Sequence, residues 1–316
     1  MRLVTKCDID GLACGILLKE RDVIDRIAFA HPKEVESGKV EITGDDITAG
    51  LPYREEAHLA FDHYPSPIAT DGNNNLIIDR NLPSTSRVIH KYYGCKYAAC
   101  SPDMLDAVDK GYSGNISIDE ILYPTGWILL NYLIDHRTGL ESYKQLSMSN
   151  SELIIKLTDF AINRNIWDIL SLPETEERLD LYFDCIDQYK DQILRCSSVH
   201  YNLLVVDMRK ETHIYPGNRF MMYALFPECN VSLQVLQNQV SGMTTFVAGK
   251  SVIDRSYNVN IGGIMRAHGG GGHLNAGTCQ TASDNSEKVL ERLISDLKYS
   301  SFRNLFYGYF NYYCSR

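Results

Sequence analysis

Carboxylates and one imidazole recur at four places in the first part of the chain. They are Asp8 with Asp10, Asp45 with Asp46, Asp62 with His63, and Asp109. A single aspartate is most often a helix cap or a turn residue, but the repetition favours one shared site. Carboxylates with an imidazole and without thiolates suit manganese or magnesium better than zinc. Such ions can activate a water molecule for attack on phosphorus and neutralise phosphate charge.

A run of four glycines, Gly269 to Gly272, lies between His268 and His273, and Arg266 stands just before it. Glycines lack a Cβ, so their backbone N–H groups can approach an anion closely. A flexible linker is the alternative, but linkers usually mix glycine with serine. The segment therefore predicts an anion-binding loop.

Short apolar segments that alternate with helical patterns must position the acidic residues. The predicted strands are Arg2–Lys6, Ile27–Ala30, Val40–Thr43 and His58–Phe61, and the helices include Ser84–Tyr93 and Pro102–Lys110. Strands that alternate with helices form a parallel, doubly wound sheet, in which ligands bind at the carboxyl ends of the strands. We therefore expect the acidic groups to meet at that edge.

The rest of the chain predicts a second, smaller α/β domain. A helical part at 124–136, 151–162 and 174–194 is followed by strands at 203–207, 231–236 and 244–248. A helix at 259–267 leads into the glycine run, and another follows at 286–297. The expected division is a first domain over 1–190, which carries the acidic residues, and a second over 197–316, which carries the glycine run.

The composition excludes several classes of protein. The chain has 316 residues and a net charge of −9, so it lacks the dense basic surface that long nucleic acids require. No segment approaches the roughly 20 apolar residues of a membrane span. The nine cysteines include no CxxC pair and are odd in number, which argues for a reducing compartment. Since the N-terminus shows no apolar signal core, a cytoplasmic protein is expected.

The acidic segments and the glycine run together resemble the DHH phosphoesterase family, in the branch whose C-terminal substrate domain carries a GGGH motif and which includes the nano-RNases (oligoribonucleases of very short RNA). The resemblance covers nearly the whole chain. It implies a metal-binding catalytic domain over 1–190 and a substrate-binding domain over 197–316, with a cleft between them. In the family's first motif, H-x-x-x-D-x-D-G, both aspartates are kept as Asp8 and Asp10, whereas Val4 replaces the histidine. In the Asp-His-His motif, His63 is kept and Tyr64 replaces the second histidine.

The resemblance implies a site for manganese, with magnesium as the alternative. In the family a single aspartate after a strand bridges two ions, and Asp46 is its expected match, with Asp45 as the alternative. One tight site would be formed by Asp10, Asp46, His63 and Asp109. One weak site would keep only Asp8 and Asp46, because Val4 cannot bind a metal.

The resemblance also implies roles for residues around the substrate. Asp62 is expected to orient His63, and Tyr64 to donate a hydrogen bond to a phosphate oxygen. The expected substrate-binding residues are Gly270, Gly271, Gly272 and His273 of the GGGH motif, with His268, Arg266 and Arg219.

The expected reaction is the hydrolysis of linear dinucleotides or very short oligoribonucleotides to mononucleotides. Its specific form is the cleavage of 5′-phosphorylated GpG, the product of cyclic di-GMP opening. The alternatives are a hydrolase of polyphosphate, other phosphoanhydrides or phosphomonoesters, and a catalytically weak nucleotide-binding protein. A homodimer is also expected, with the aromatic tail Phe302–Tyr313 packing against the second domain or a partner.

Overall fold

The computed structural model describes residues 1–64, 74–94, 102–238 and 241–298. The chain divides into two compact units, Met1–Asp184 with Pro216–Asn218, and Cys185–Tyr215 with Arg219–Arg316. The first boundary lies inside one long helix, close to the predicted end of the first domain at residue 190. The aromatic tail on which the homodimer prediction partly rests lies outside the described residues.

The first unit is built on a parallel sheet. Its described strands are β1 (Arg2–Thr5), β2 (Arg26–Phe29), β3 (Asp46–Ala49), β4 (Leu59–Asp62) and β5 (Leu76–Ile78). They lie in the order β2-β1-β3-β4-β5, and each neighbouring pair is parallel. The order reverses between β1 and β3, which is where sheets of this kind bind ligands. The predicted doubly wound α/β fold is confirmed.

Helices pack against this sheet and against one another. They are α1 (Ile9–Glu20), α2 (Pro32–Glu36), α3 (Thr85–Tyr93), α4 (Pro102–Ser113), α5 (Ile118–Leu122), α6 (Gly126–Ile134), α7 (Leu140–Tyr143), α8 (Asn150–Phe160), α9 (Ile166–Leu170) and α10 (Pro173–Cys196). A 3-10 turn spans His136–Thr138. Helix α1 is buried along nearly its whole length between the other helices, as expected of a helix that is apolar on all sides.

The third predicted strand is displaced along the chain. Strand β3 begins at Asp46, whereas Val40–Thr43 was expected to form it. Val40 and Ile42 instead pack outside the sheet, in an apolar cluster with Val4 and Val35. A short apolar run fits a buried loop as well as a strand, and tertiary packing decided between them.

An ion pair closes the amino edge of the sheet. Arg2 and Asp46 are paired as the first residues of β1 and β3. The Arg2 guanidinium donates to both carboxylate oxygens of Asp46, at 2.6 and 2.8 Å. The N–H and hydroxyl of Thr43 also donate to Asp46, whose side chain is 2% exposed.

The second unit contains a mixed sheet. Its described strands are β6 (Ser197–His200), β7 (Leu203–Asp207), β8 (Val231–Asn238), β9 (Met243–Lys250), β10 (Gly271–Gly272) and β11 (Ala276–Ala282). The order is β10-β11-β9-β8-β7-β6, in which β7 and β8 are parallel and the other neighbours antiparallel. The helices are α11 (Met221–Leu225), α12 (Ile261–Ala267) and α13 (286–298), with a 3-10 turn at Ser283–Asn285.

One face of this sheet forms the core of the unit. Phe246 and Leu233 of the sheet pack with Met265 of α12 and with Leu293 of α13. The predicted smaller α/β domain therefore has its own apolar core. In neither unit does a described helix have the length and apolar character needed to cross a membrane.

The glycine run forms a tight hairpin that packs on α12. A Cβ on Gly270 would lie 2.0 Å from the carbonyl oxygen of Thr278, and one on Gly262 of α12 would lie 2.4 Å from the backbone of Gly272. These distances are far below any van der Waals contact, so only glycine fits at both positions. Gly271 faces open space, and a Cβ there would meet nothing within 4 Å.

Asp46→Ala is expected to lower the free energy of unfolding by about 2 kcal/mol, because it leaves Arg2 without its carboxylate partner. Burial opposes ionisation of Asp46, but hydrogen bonds from Arg2 and Thr43 outweigh it and lower its pKa. The stabilisation is therefore present above about pH 4 and is lost as the pH falls through the lowered pKa. Urea unfolding across this range measures the change.

Asp45→Ala is the matched control, because Asp45 is the exposed neighbour of Asp46. We expect it to change the free energy of unfolding by no more than about 0.5 kcal/mol. Equal losses in the two variants would show that the Arg2–Asp46 pair does not stabilise the sheet.

Gly270→Ala is expected to destabilise the second unit by about 3 kcal/mol, because the added methyl group overlaps the carbonyl oxygen of Thr278. Gly271→Ala, one residue further along, should cost less than about 1 kcal/mol. Thermal unfolding followed by circular dichroism compares the two variants. A Gly270→Ala protein as stable as Gly271→Ala would refute close packing as the reason for the glycine.

Candidate functional site

The turn between β1 and α1 brings two carboxylates to the carboxyl edge of the parallel sheet. Asp8 is the N-cap of α1, and its side chain accepts a hydrogen bond from the N–H of Gly11 at 2.9 Å. A Cβ on Gly11 would lie 2.0 Å from the carbonyl oxygen of Lys6, which explains the glycine after the two aspartates. Asp10 follows in the first turn of α1 and is 1% exposed.

Asp10 joins α1 to α3. Its two oxygens accept hydrogen bonds from the N–H groups of Thr85 and Ser86, at 3.2 and 2.9 Å. A carboxylate at a helix N-terminus satisfies N–H groups that lack partners within the helix and interacts favourably with the helix dipole. Burial raises the pKa of Asp10, the charge of Asp8 raises it further, and Lys6 opposes both effects.

His63 follows β4 at the same edge, and its ring is held by Thr85. The Nδ1 atom lies 3.0 Å from the Thr85 hydroxyl oxygen. The Nε2 atom is buried and has no hydrogen-bond partner among the described residues. Burial lowers the pKa of His63, and the carboxylates of Asp62 and Asp109 oppose that shift. A neutral imidazole with one unpartnered nitrogen is the form that binds metal ions.

Asp62 fixes the backbone that carries His63. Its Oδ1 atom accepts from the N–H groups of His63 at 2.7 Å and of Tyr64 at 3.1 Å. The distance from this oxygen to Nδ1 of His63 is 3.7 Å, so the direct ring contact is to Thr85. Tyr64 is 59% exposed, and its ring centroid lies 4.2 Å from that of His63. The expected roles of Asp62 and Tyr64 remain predictions.

A cation lies beside the Asp8 carboxylate. The Lys6 ammonium contacts the hydroxyl oxygen of Tyr112 and lies 3.7 Å from Oδ2 of Asp8. The Tyr112 hydroxyl donates to the same Asp8 oxygen at 2.9 Å. The side chains of Lys6 and Asp8 are each about a quarter exposed, 24% and 26%, so the group is open to solvent on one side.

Asp109 on α4 is engaged with α3. It accepts hydrogen bonds from the Ser84 hydroxyl and from Nε of Arg87, both at 2.6 Å. The second guanidinium branch of Arg87 pairs with Asp106. Asp109 therefore lies close enough to affect His63, but an arginine already pairs with its carboxylate.

The prediction that Asp46 belongs to this group is wrong. Asp46 is the first residue of β3, so the length of the strand, about 10 Å, separates it from the carboxyl edge, and its carboxylate is paired with Arg2. Asp45, the alternative, precedes the strand and lies further from that edge. The misplaced third strand caused the error, because Val40–Thr43 would have put these aspartates at its carboxyl end.

The donor atoms do not fit a pair of metal ions. Across the parts of the chain that the structure describes, no three His, Cys, Asp or Glu side chains converge on one point. The expected weak site loses its bridging ligand with Asp46. One ion remains compatible with the residues, because a buried nitrogen without a partner is costly and a cation at Nε2 of His63 would satisfy it.

Four residues of this site were not anticipated from the sequence: Lys6, Thr85, Arg87 and Tyr112. Signals for two of them exist. Tyr112 follows Asp109 by three positions on α4, so both can lie on one helix face, and the sequence Ser84-Thr85-Ser86 is typical of a helix start. Nothing in the sequence around Lys6 indicated a role in the site, apart from its position between β1 and Asp8.

The second unit holds the other expected residues. The N–H of Gly270 donates to the carbonyl oxygen of Met265 at 2.9 Å, so this N–H is already engaged, and the expected substrate-binding role of Gly270 stays a prediction. His268 pairs with Asp296 at 2.8 Å. His273 is exposed, and its backbone carbonyl accepts from Gly262 at the start of α12.

Two arginines of the second unit lie at its surface or close to it. Arg266 is exposed, and its Nη1 atom lies 3.4 Å from the carbonyl oxygen of Gly272. The Arg219 guanidinium lies over the ring of Phe220, 4.4 Å from its centroid. Substrate binding by Arg219, Arg266, His268, Gly271, Gly272 and His273 remains a prediction.

Comparison with solved structures finds a similar protein of high identity. The pGpG-specific phosphodiesterase PggH of Vibrio cholerae is 43% identical, with a TM-score of 0.85, over 95% of this chain and 99% of that one. No protein-family model and no curated protein sequence matches.

The exonuclease RecJ shares the fold at much lower identity. A RecJ structure with Mn²⁺ from Thermus thermophilus is 12% identical with a TM-score of 0.51, over 94% of this chain and 52% of that one. A second RecJ structure bound to manganese is 13% identical with a TM-score of 0.51, over 95% and 88% of the two chains. The parallel sheet with its acidic edge, and the identity with PggH along nearly the whole length of both proteins, show that this chain belongs to the DHH family of phosphoesterases.

Proposed function

We propose that this protein is a metal-dependent phosphodiesterase that hydrolyses 5′-phosphorylated dinucleotides, pGpG foremost, to mononucleotides. The observation that carries the proposal is the 43% identity with a pGpG-specific phosphodiesterase over 95% of the chain. The site agrees with it, because carboxylates, a neutral imidazole and a cation meet at the ligand-binding edge of the sheet. The net charge of −9 disfavours long nucleic acids as substrates.

A single divalent cation, manganese or magnesium, is the proposed cofactor. Nε2 of His63 would be its one direct protein ligand, and the carboxylates of Asp8, Asp10 and Asp109 would supply negative charge nearby without converging on it. When bound, such an ion polarises a phosphate ester and lowers the pKa of water. Oxygen and imidazole donors without thiolates suit these two metals.

The protein's own groups position the reaction. Thr85 fixes the His63 ring through Nδ1, which leaves Nε2 as the nitrogen that faces a ligand. Asp62 holds the His63 backbone and so sets the direction of the ring. Tyr64, exposed beside His63, can donate its hydroxyl proton to a phosphate oxygen or stack on a base.

Purified protein with manganese is expected to convert pGpG to GMP and to leave long RNA and polyphosphate intact. The assay offers pGpG, other 5′-phosphorylated dinucleotides, a 20-nucleotide RNA, cyclic di-GMP and polyphosphate side by side, and chromatography identifies the products. Phosphate release from polyphosphate without cleavage of any dinucleotide would support a phosphoanhydride hydrolase instead. Binding of pGpG without turnover would support a nucleotide-binding protein.

His63→Ala is expected to weaken manganese binding and to lower the rate by about 100-fold or more, because it removes the proposed imidazole ligand. His58→Ala is the matched control. His58 is exposed and precedes the same strand, β4, at its other end, so its loss should change the rate less than about twofold. Manganese titration and initial rates compare the variants. Similar rates for His63→Ala and wild type would exclude His63 from the reaction.

A further inference from the structure

Two positions that the family resemblance assigns to a first metal ion hold no ligand in this protein. Val4, in place of the motif histidine, is 0% exposed and packs in the apolar cluster with Ala30 and Leu51. The resemblance implies an aspartate after a strand, but β3 ends at Ala49 and is followed by Gly50. The carboxyl end of β3 therefore carries neither a carboxylate nor an imidazole.

Gly50 has the geometry of a position that excludes a side chain. Its φ is +63°, in the left-handed region that favours glycine. A Cβ built there would lie 3.1 Å from the Thr85 hydroxyl oxygen, 3.2 Å from Cε of Lys6 and 3.6 Å from its Nζ. A carboxylate on residue 50 would have to occupy the space that the Lys6 ammonium fills. The absence of a side chain at Gly50 thus leaves the space that the Lys6 side chain occupies.

Lys6 is held in this position by its neighbours. The ammonium contacts the Tyr112 hydroxyl and lies 4.5 Å from the centroid of the Tyr112 ring. Tyr112 is itself fixed through its hydrogen bond to Asp8. An ammonium group carries three N–H donors, and the contacts among the described residues are one hydrogen bond, to Tyr112, and the longer ion pair with Asp8. Donors therefore remain for an anion.

The positive charge of Lys6 affects the ionisation of two neighbouring acidic residues. It lowers the pKa of Asp10, which follows β1, and of Asp62, which ends β4, against the upward shift that burial causes in each. A phosphate that approaches these carboxylates would be repelled without a cation between them. Lys6 lies at the reversal of strand order between β1 and β3, where it can supply that charge.

We propose that the Lys6 ammonium takes the place of the first metal ion of the family and binds a non-bridging oxygen of the scissile phosphate. The site then combines one protein-borne cation with one exchangeable divalent ion. Lys6 stabilises the charge that develops on the phosphate, and Tyr112 positions Lys6. The inference rests on the proposed phosphodiesterase function.

Lys6→Met tests the proposal, because methionine keeps the length of the side chain and removes its charge. We expect kcat for pGpG to fall by about 100-fold, the usual effect of removing one donor to a developing oxyanion, whereas Lys6→Arg should retain more activity than Lys6→Met. Lys39→Met is the matched control, since Lys39 is exposed on the same unit and pairs only with Glu34 among the described residues. An unchanged kcat in Lys6→Met would overturn the proposal.

The number of bound manganese ions provides a measurement that does not depend on turnover. Electron paramagnetic resonance of free Mn²⁺ during titration should give no more than one ion per chain in wild type, and the same number in Lys6→Met. Two ions per wild-type chain would overturn the proposal, because the second ion would need the space of the ammonium.

GMP binding separates failure of this inference from failure of the proposed function. Calorimetry with manganese present should show roughly tenfold weaker GMP affinity in Lys6→Met than in wild type, as expected when a charged hydrogen bond to phosphate is lost. If the wild-type protein does not cleave pGpG but still binds GMP more tightly than Lys6→Met, the proposed substrate is wrong and the proposed phosphate contact of Lys6 is supported. Equal affinity of both proteins would overturn the role of Lys6, whatever the substrate.

Discussion

The buried carboxylate of Asp10 is the contact on which the site depends. It sits in the first turn of α1 and accepts two N–H groups at the start of α3. These hydrogen bonds set the position of Thr85, which in turn holds the His63 ring at the end of β4. One side chain thus links the carboxyl ends of β1 and β4 across the sheet. Because the carboxylate is fully buried, its hydrogen bonds are needed to offset the cost of burying its charge.

Part of the negative charge at this edge is already paired with cations of the protein. Four carboxylates approach one region, and two of them already have cationic partners, Lys6 at Asp8 and Arg87 at Asp109. A cation fixed in the protein needs no exchange with solvent, whereas a metal ion must find enough ligands. Among the described residues Nε2 of His63 has no hydrogen-bond partner, and Asp46, the expected bridging ligand, lies at the opposite edge of the sheet. Both observations agree with the proposed combination of a lysine ammonium and one divalent ion.

Close packing explains why two positions of the second unit are glycine. Gly270 lies so close to β11, and Gly262 of α12 so close to Gly272 of the hairpin, that neither has room for a methyl group. The N–H of Gly270 is used within this arrangement. The same packing presents His273 at the exposed end of the hairpin. Close packing is therefore one physical reason for glycine at Gly262 and Gly270.

The sequence alone determined the fold class and most of the acidic site. Alternation of strands and helices predicted the parallel sheet, and Asp8, Asp10 and His63 were placed correctly at its carboxyl edge, because in such a sheet every strand that precedes a helix ends on the same side. The glycine run was expected to bind an anion, and that stays a prediction; the structure shows close packing of Gly270 on β11, which the sequence did not predict.

Only the tertiary structure decided which aspartates belong together and what lies between them. Strand β3 lies a few residues later in the chain than predicted and begins at Asp46. Because a four-residue strand runs from the amino edge of the sheet to the carboxyl edge, Asp46 lies at the amino edge instead of the predicted carboxyl edge. Apolar residues at 40 and 42 fit both a strand and a packed loop, so their pattern could not fix that boundary. Lys6 and Gly50 are 44 positions apart in the sequence. Their complementary shapes exist only because β1 and β3 lie side by side.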